Sequence, residues 1–262
     1  MTVADALGAS GLEAREARLL LAHATGFSAA AVVAFPEREL SAEAAERFSA
    51  FAERRRRGEP VAYLVGEKEF YGLPLAVNPA VLIPRPETEL LVDLALERQF
   101  SAAVDLGSGC GAIALALKHE RPKARIIGVE ASAAALEVAR RNAVRLGLDV
   151  EWRHGRWCEP LAGDLYDLIL ANPPYIAEGD PHLAALTCEP RQALIAGPDG
   201  LDAIRAIAAQ APAHLERGGW LLIEHGAGQE AAVRGLLEGA GLEEMRTWPD
   251  LAGIARVSGG RR

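Results

Sequence analysis

From residue 102 onward the chain alternates short apolar runs with segments of helix length, and this alternation limits the possible folds more than any other feature. Ala102-Ala103-Val104-Asp105-Leu106 leads into a glycine loop and then a helical stretch over 112–119. Ile126-Ile127-Gly128-Val129-Glu130 comes next, and Ser132 is placed to cap a helix that reaches residue 146. Strands are expected over 149–154 and 168–170, a helix over 201–215, and a strongly apolar strand at Trp220-Leu221-Leu222-Ile223-Glu224. A helix over 229–240 and two short strands, near Met245-Arg246-Thr247 and Ile254-Ala255-Arg256-Val257, close the chain. Apolar runs bounded by turn residues read as buried strands. Strands joined by helical crossovers form a mainly parallel sheet covered on both faces, so the expected class is α/β.

The residues ahead of this pattern read differently. Leu12, Arg15, Leu19 and His23 recur at helical spacing, with Leu20, Leu21 and Ala24 widening the apolar face. Ser28 can cap a second helix, and Ser41 a third in which Ala44, Ala45, Phe48, Phe51 and Ala52 form the buried stripe. That third helix ends in Arg54-Arg55-Arg56-Arg57. Such a run can be a favourable helix C-terminus or a contact for an acidic partner or RNA. A small helical bundle is the expectation. Tyr63-Leu64-Val65-Gly66 and Phe70-Tyr71-Gly72-Leu73-Pro74-Leu75-Ala76-Val77 then suggest strands in a hairpin, punctuated by Gly and Pro. In Ile83-Pro84-Arg85-Pro86-Glu87-Thr88-Glu89, Pro86 suits the first turn of a helix whose positive end is met by Glu87 and Glu89. Arg85, wedged between prolines, has no such explanation.

Bulk properties exclude several classes. The formal charge of −8 argues against broad attraction to a nucleic-acid backbone. No apolar run approaches the roughly 20 residues of a membrane span. The first residues, with Asp5, Glu13 and Glu16, lack an export pattern. Cys110, Cys158 and Cys188 are scattered without a C-x-x-C pair, so neither a disulfide framework nor a metal site is expected. The expected location is the cytoplasm.

Chemistry concentrates at the strand ends. Asn172-Pro173-Pro174-Tyr175 directly follows the run Leu168-Ile169-Leu170-Ala171. Two prolines fix φ and remove both N–H groups, so a stiff carbonyl, an amide and an aromatic ring are held together. That arrangement suits a planar group bearing N–H, and from these four residues alone an adenine fits as well as any other. Gly107-Ser108-Gly109-Cys110-Gly111 lies between a strand and a helix, where backbone can approach a ligand closely. Its G-x-G-x-G spacing lacks the further glycine of a dinucleotide fingerprint. Glu130 ends the next strand, where an acidic side chain can take a ribose diol. In open parallel sheets ligands bind beyond the carboxyl ends of the strands, so these three features are expected to line one crevice.

Together the glycine loop, the acidic strand end and N-P-P-Y resemble a class I S-adenosylmethionine-dependent methyltransferase. The likeness narrows over Phe70-Tyr71-Gly72-Leu73, Pro84-Arg85-Pro86-Glu87-Thr88-Glu89, Gly155-Arg156-Trp157, Glu189-Pro190 and Leu222-Ile223-Glu224-His225-Gly226. In this order the motifs resemble the HemK/PrmC family, N5-glutamine methyltransferases of peptide chain release factors, across essentially the whole chain. The resemblance implies a Rossmann-like, seven-stranded, mostly parallel sheet with its last strand antiparallel. It also implies a helical docking domain over 1–62, a β-hairpin bridge over 63–83 and a methyltransferase domain over 84–262.

By the same resemblance, S-adenosyl-L-methionine is the cofactor, leaving as S-adenosyl-L-homocysteine. It would be held by Gly107, Ser108, Gly109, Cys110, Gly111, Glu130, Trp157 and Asn172. The substrate would be the glutamine of a Gly-Gly-Gln loop in class 1 release factors, gripped by Asn172, Pro173, Pro174 and Tyr175 with Arg85 nearby. Without the resemblance Trp157 also reads as a core aromatic, and Trp152 as core in either case. Family members often carry Asp where Glu130 stands, and Asp and Arg where Ala185 and Thr187 stand. Methylation of a ribosomal-protein glutamine, or less favourably of adenine in nucleic acid, is the alternative.

Overall fold

The structure is a computed structural model that describes residues 1–262. It divides into two compact units, Met1–Glu67 and Lys68–Arg262.

In the first unit Thr2 caps α1 (Val3–Ala9) and exchanges hydrogen bonds with Asp5, a capping box. Glu13 caps α2 (Ala14–Thr25), Ser28 caps α3 (Ala29–Ala34) and Ser41 caps α4 (Ala42–Arg56). α5 (Val61–Val65) follows Pro60. Val3, Leu20, Leu21, Val32, Phe48 and Leu64 form the core.

Two expectations are corrected here. Arg15, Leu19 and His23 are exposed, whereas Leu20, Leu21 and Ala24 are buried as expected and Ala17 is buried beside them. Both sets have helical spacing, and only the second is free of charge, which decides the burial. Tyr63 and Leu64, expected in a strand, lie in α5 because both can bury against the bundle in helical geometry. In the basic run Arg54 pairs with Glu59, Arg55 with Glu16 and Arg57 with Glu53, so much of its charge is met within the unit.

β1 (Glu67–Phe70) and β2 (Leu73–Ala76) form the hairpin. Tyr71 and Gly72 both have positive φ, 51° and 74°, as a two-residue turn that matches strand twist demands. Holding a tyrosine there costs free energy. The cost is offset by the start of α6 (Glu89–Leu96), where Glu89 Oε1 accepts from Tyr71 N–H at 2.9 Å and Asp93 Oδ1 from the phenol at 2.8 Å.

The large sheet comprises β3 (Ala102–Leu106), β4 (Arg125–Glu130), β5 (Glu151–His154), β6 (Tyr166–Ala171), β7 (Leu215–Glu224), β8 (Glu243–Pro249) and β9 (Ala255–Arg261). Their order is β5-β4-β3-β6-β7-β9-β8. β3 to β7 are parallel where they pair, while β9 runs antiparallel to both β7 and β8. This is the expected seven-stranded, mostly parallel, Rossmann-like sheet. α7 (Ala112–Glu120), α8 (Ala133–Leu146), α9 (Asp202–Gln210) and α10 (Glu230–Gly239) make the connections. α9 ends earlier than its pattern suggests because Pro212 closes it in a single 3₁₀ turn, and β7 starts at Leu215. Strand order reverses between β3 and β6, which opens a crevice at their carboxyl ends. No helix is long and apolar enough to cross a membrane.

Candidate active site

The glycine loop leaves β3 with Gly107 and Ser108 N–H both donating to the Val129 carbonyl of the neighbouring strand, at 2.8 and 3.0 Å. Gly107 has φ of 80°, and a Cβ there would stand 3.3 Å from the ring of Trp157. Glycine is therefore required for the loop and this ring to share the crevice wall. Glu130, ending β4, closes the loop: Oε2 accepts from Gly109 N–H at 2.9 Å and Oε1 from Ser132 N–H at 2.7 Å. A carboxylate carries about four acceptor positions, so both oxygens can still take hydroxyl donors.

Beneath the loop Asp105 is fully buried, and neither of its oxygens has a hydrogen-bond partner. Burial pushes its carboxyl up to about 7, and the Glu130 charge adds to the shift. Trp157, at φ 50°, keeps an unpartnered buried indole N–H. Asn142 on α8, fully buried, donates from Nδ2 to the carbonyls of Cys110 (2.9 Å) and Ala76 (3.0 Å), while its Oδ1 accepts from Ala76 N–H. It thereby ties the glycine loop to the hairpin. A lone amide on the apolar stripe of α8 was the sequence signal for this role.

A cavity of about 470 Å³ is lined by Gly107, Gly109, Glu130, Trp157, Asn172 and Pro173, among others. That volume suits a small-molecule cofactor. Glycine backbone, a carboxylate with spare acceptor positions, an indole wall and unsatisfied polar atoms fit a nucleoside with a charged amino-acid tail. Ser108, Cys110 and Gly111 belong to the same loop, with Ser108 and Cys110 buried and none of the three lining the cavity.

On the other side of the crevice, Asn172 follows β6 where the register pairs Ala171 with Ile223 of β7. Its Nδ2 donates to Thr88 Oγ1 at 2.9 Å. Tyr175 is largely enclosed, and burial pushes its phenol up to about 12. Its backbone carbonyl accepts from Gln229 Nε2 at 3.1 Å. Gly200 passes so close that a Cβ would stand 2.3 Å from that carbonyl oxygen. Asn172, Pro173, Pro174 and Tyr175, with Arg85 and Leu186, line a second cavity of about 70 Å³. Arg85 is ion-paired with the buried Glu189, whose Oε2 also accepts from Ile83 N–H at 3.0 Å. This pairing anchors the wall and accounts for an arginine between prolines. Ala185 and Thr187 are exposed on the loop carrying Leu186.

Asn172, Pro173 and Pro174 line both cavities and so form the junction between them. One side can hold a cofactor and the other a narrow planar group, with carbonyl acceptors at the boundary.

Residues 2–66 match the PrmC N-terminal domain, and residues 86–238 match the methyltransferase small domain. A release factor glutamine methyltransferase of Xylella fastidiosa (strain Temecula1) is 50% identical over 257 residues, covering 95% of this chain and 94% of the relative. The Burkholderia pseudomallei protein of that name is 47% identical, covering 99% of this chain and 96% of its own. The Neisseria gonorrhoeae protein is 44% identical, covering 100% and 98%. Among solved structures, the Thermus thermophilus 16S rRNA N2 G1207 methyltransferase in complex with AdoMet and guanosine aligns with TM-score 0.57 and 22% identity, over 75% of this chain and 49% of that one. A Pyrococcus furiosus methyltransferase aligns with TM-score 0.57 and 16% identity, over 81% and 98%. At these identities the structures speak for the fold.

Proposed function

The chain belongs to the release factor glutamine methyltransferase family, and on that premise we propose that it methylates N5 of the glutamine in the Gly-Gly-Gln motif of class 1 peptide chain release factors. The observation that carries this reading is the Asn172-Pro173-Pro174 junction between the two cavities. S-adenosyl-L-methionine, held by the larger cavity, supplies a sulfonium methyl group and leaves as S-adenosyl-L-homocysteine. The methylated amide nitrogen then loses one N–H proton to water, and everything else the reaction needs is orientation and electrostatics from the protein.

An amide nitrogen is a weak nucleophile because its lone pair is delocalised into the carbonyl. Asn172 Oδ1 and the Pro173 carbonyl would each accept one N–H of the glutamine, aiming the nitrogen at the larger cavity. Pro174 contributes stiffness and no competing donor. The Tyr175 ring would pack against the amide and favour positive charge arriving there. Orientation of reacting atoms is worth roughly 7–11 kcal/mol in well-aligned systems, which is why a rigid diproline follows the acceptor. Gly107 to Gly111, Glu130 and Trp157 would take the cofactor, and Arg85 would help shape the substrate wall.

The helical unit is proposed to dock the release factor, the hairpin to bridge, and the remainder to carry the transfer. Release factors act at the ribosome, so the place of action would be the cytoplasm. The relatives do not favour a ribosomal-protein or adenine substrate, and a net charge of −8 offers little to nucleic acid.

The test is incubation with methyl-labelled cofactor and purified release factor, ribosomal proteins or DNA. Label is expected on the Gly-Gly-Gln glutamine, and label confined to DNA or a ribosomal protein would overturn the substrate. Asn172→Ala is expected to lower turnover by about 10³-fold or more while S-adenosylhomocysteine binding stays within about threefold.

A further inference from the structure

The turn that presents the proposed acceptors has no N–H at Pro173 or Pro174, so its backbone must be held through carbonyls. The carbonyl that is held belongs to Tyr175, and the holder is Gln229, 54 residues further along the chain. Gln229 stands at the start of α10. Its Nε2 donates to the Tyr175 carbonyl at 3.1 Å and reaches the Asp199 carbonyl at 3.4 Å, while its Oε1 accepts from Gly226 N–H at 2.9 Å. All of these partners are backbone groups, and a backbone carbonyl only accepts while an N–H only donates. The amide therefore has a single satisfactory orientation. Turned over, it would set its donors against Gly226 N–H and its oxygen against the carbonyl oxygens.

Room for the amide comes from a glycine on either side. A Cβ on Gly200, at φ 75°, would stand 2.9 Å from Gln229 Nε2 and 2.3 Å from the Tyr175 carbonyl oxygen. A Cβ on Gly226 would stand 3.0 Å from Gln229 Oε1 and 3.3 Å from the Tyr175 ring. The cradle thus closes on the amide, on the carbonyl it holds and on the ring of the same tyrosine.

The chain is fixed on both sides of the turn. Ala171 ends β6 in register with Ile223, and past Tyr175 the Ile176 N–H donates to the Leu194 carbonyl at 2.9 Å. Between these points the peptide units are planar and each proline fixes its φ, so ψ is the soft torsion left at Pro173 and Pro174. A carbonyl fixed at Tyr175 limits rotation of the peptide units before it. The direction of the Pro173 carbonyl is limited with them.

We propose that Gln229 is a positioning residue for methyl transfer: by clamping the Tyr175 carbonyl to the end of β7, it fixes the direction of the Pro173 carbonyl and the seat of the Tyr175 ring against the substrate glutamine. This rests on the roles assigned above to Asn172, Pro173 and Tyr175. Gln229 is not part of the lining of either cavity, so its action runs through the turn. No bond is made or broken in the clamp.

Gln229→Glu keeps the heavy-atom outline and an acceptor for Gly226 N–H, but an ionised carboxylate has no hydrogen to give the Tyr175 carbonyl. Gln229→Met removes the same donors without adding charge. With S-adenosyl-L-methionine and purified release factor, each variant should lose roughly ten- to a hundredfold in kcat. KM for the release factor and Kd for S-adenosylhomocysteine should stay within about threefold of wild type. Melting midpoints are read in parallel, and the kinetics are taken below the lowest of them. A residue that only fills space predicts Gln229→Glu near wild type in kcat, with any loss confined to the melting midpoint. Either variant with kcat within about threefold of wild type overturns the proposal. So does a loss of cofactor affinity as large as the loss in kcat. Asn172→Ala in the same assay separates two failures: if it is inactive while Gln229→Met is normal, only the positioning is wrong. If Asn172→Ala turns over normally, the assignment of the turn itself is wrong.

Discussion

The carboxyl ends of β3 and β6 face one cavity, yet they are held by different means. At β3 the glycine loop is fixed largely by its own surroundings: Val129 carbonyl on the next strand, and Glu130 at that strand's end. At β6 the Asn172-Pro173-Pro174-Tyr175 turn is fixed from far along the chain. Thr88 takes the Asn172 amide, Gln229 takes the Tyr175 carbonyl, and Gly200 gives that carbonyl room. A cofactor wall can be made by one strand–loop–strand unit because it needs backbone and one carboxylate. A reacting centre needs orientation in several directions at once, and neighbours in sequence cannot surround a residue.

The contrast can be broken most sharply at Gly200. A methyl there would collide with the Tyr175 carbonyl oxygen at 2.3 Å, at a φ of 75° that a side chain strains. Gly200→Ala should lower turnover by about a hundredfold with cofactor affinity nearly unchanged, read by steady-state kinetics beside calorimetric titration. Loss of cofactor binding in that variant would show that the two ends are not independent. Glu130→Ala is the counterpart on the β3 side. It removes the carboxylate proposed to take the ribose and leaves the Gly109 and Ser132 N–H groups without partners, so S-adenosylhomocysteine affinity should fall by roughly ten- to a hundredfold. Turnover at saturating cofactor should stay within about fivefold.

A smaller effect is expected at Asp105. Its carboxyl is lifted from 3.8 to about 7 by burial, so the folded chain holds a proton that the unfolded chain has lost between those values. Its contribution to stability is full below the lower value and is lost as pH rises through the upper one. Asp105→Asn should therefore raise the melting midpoint of the cofactor-free protein at pH 8 by about 3 °C or more, with the gain shrinking toward pH 4. An equal gain at both pH values would mean that the carboxyl is not raised in the folded state.

Much of the β3 side was legible in the sequence, because the glycine loop and Glu130 are about 20 residues apart and joined by one helix. The β6 turn was legible as a motif, while its supports were not. Thr88 and Gln229 each read in sequence as part of a helix start, and neither reading contains the turn they hold. The apolar face of α2 was drawn too wide: Leu20, Leu21 and Ala24 are buried, while Arg15, Leu19 and His23, at the same spacing, face out. Tyr63-Leu64 looked like strand because four residues are too few to show a period. Asn142 carried a signal of its own, a single amide among buried aliphatic positions, and the identity of its partners was settled by the fold.

By itself the sequence determined the alternation that makes a parallel sheet, the stiff acceptor turn after β6 and the acidic end of β4. These are local, set by the fixed φ of proline, the freedom of glycine and the spacing of apolar residues. Only the tertiary structure decided that Thr88 meets the Asn172 amide, that Arg85 spends its charge on Glu189, and that Asn172-Pro173-Pro174 separates two cavities. The reason is strand order. The return of the chain from β5 to β6, on the far side of β3, sets next to one another groups that the sequence keeps 84 positions apart, Thr88 and Asn172.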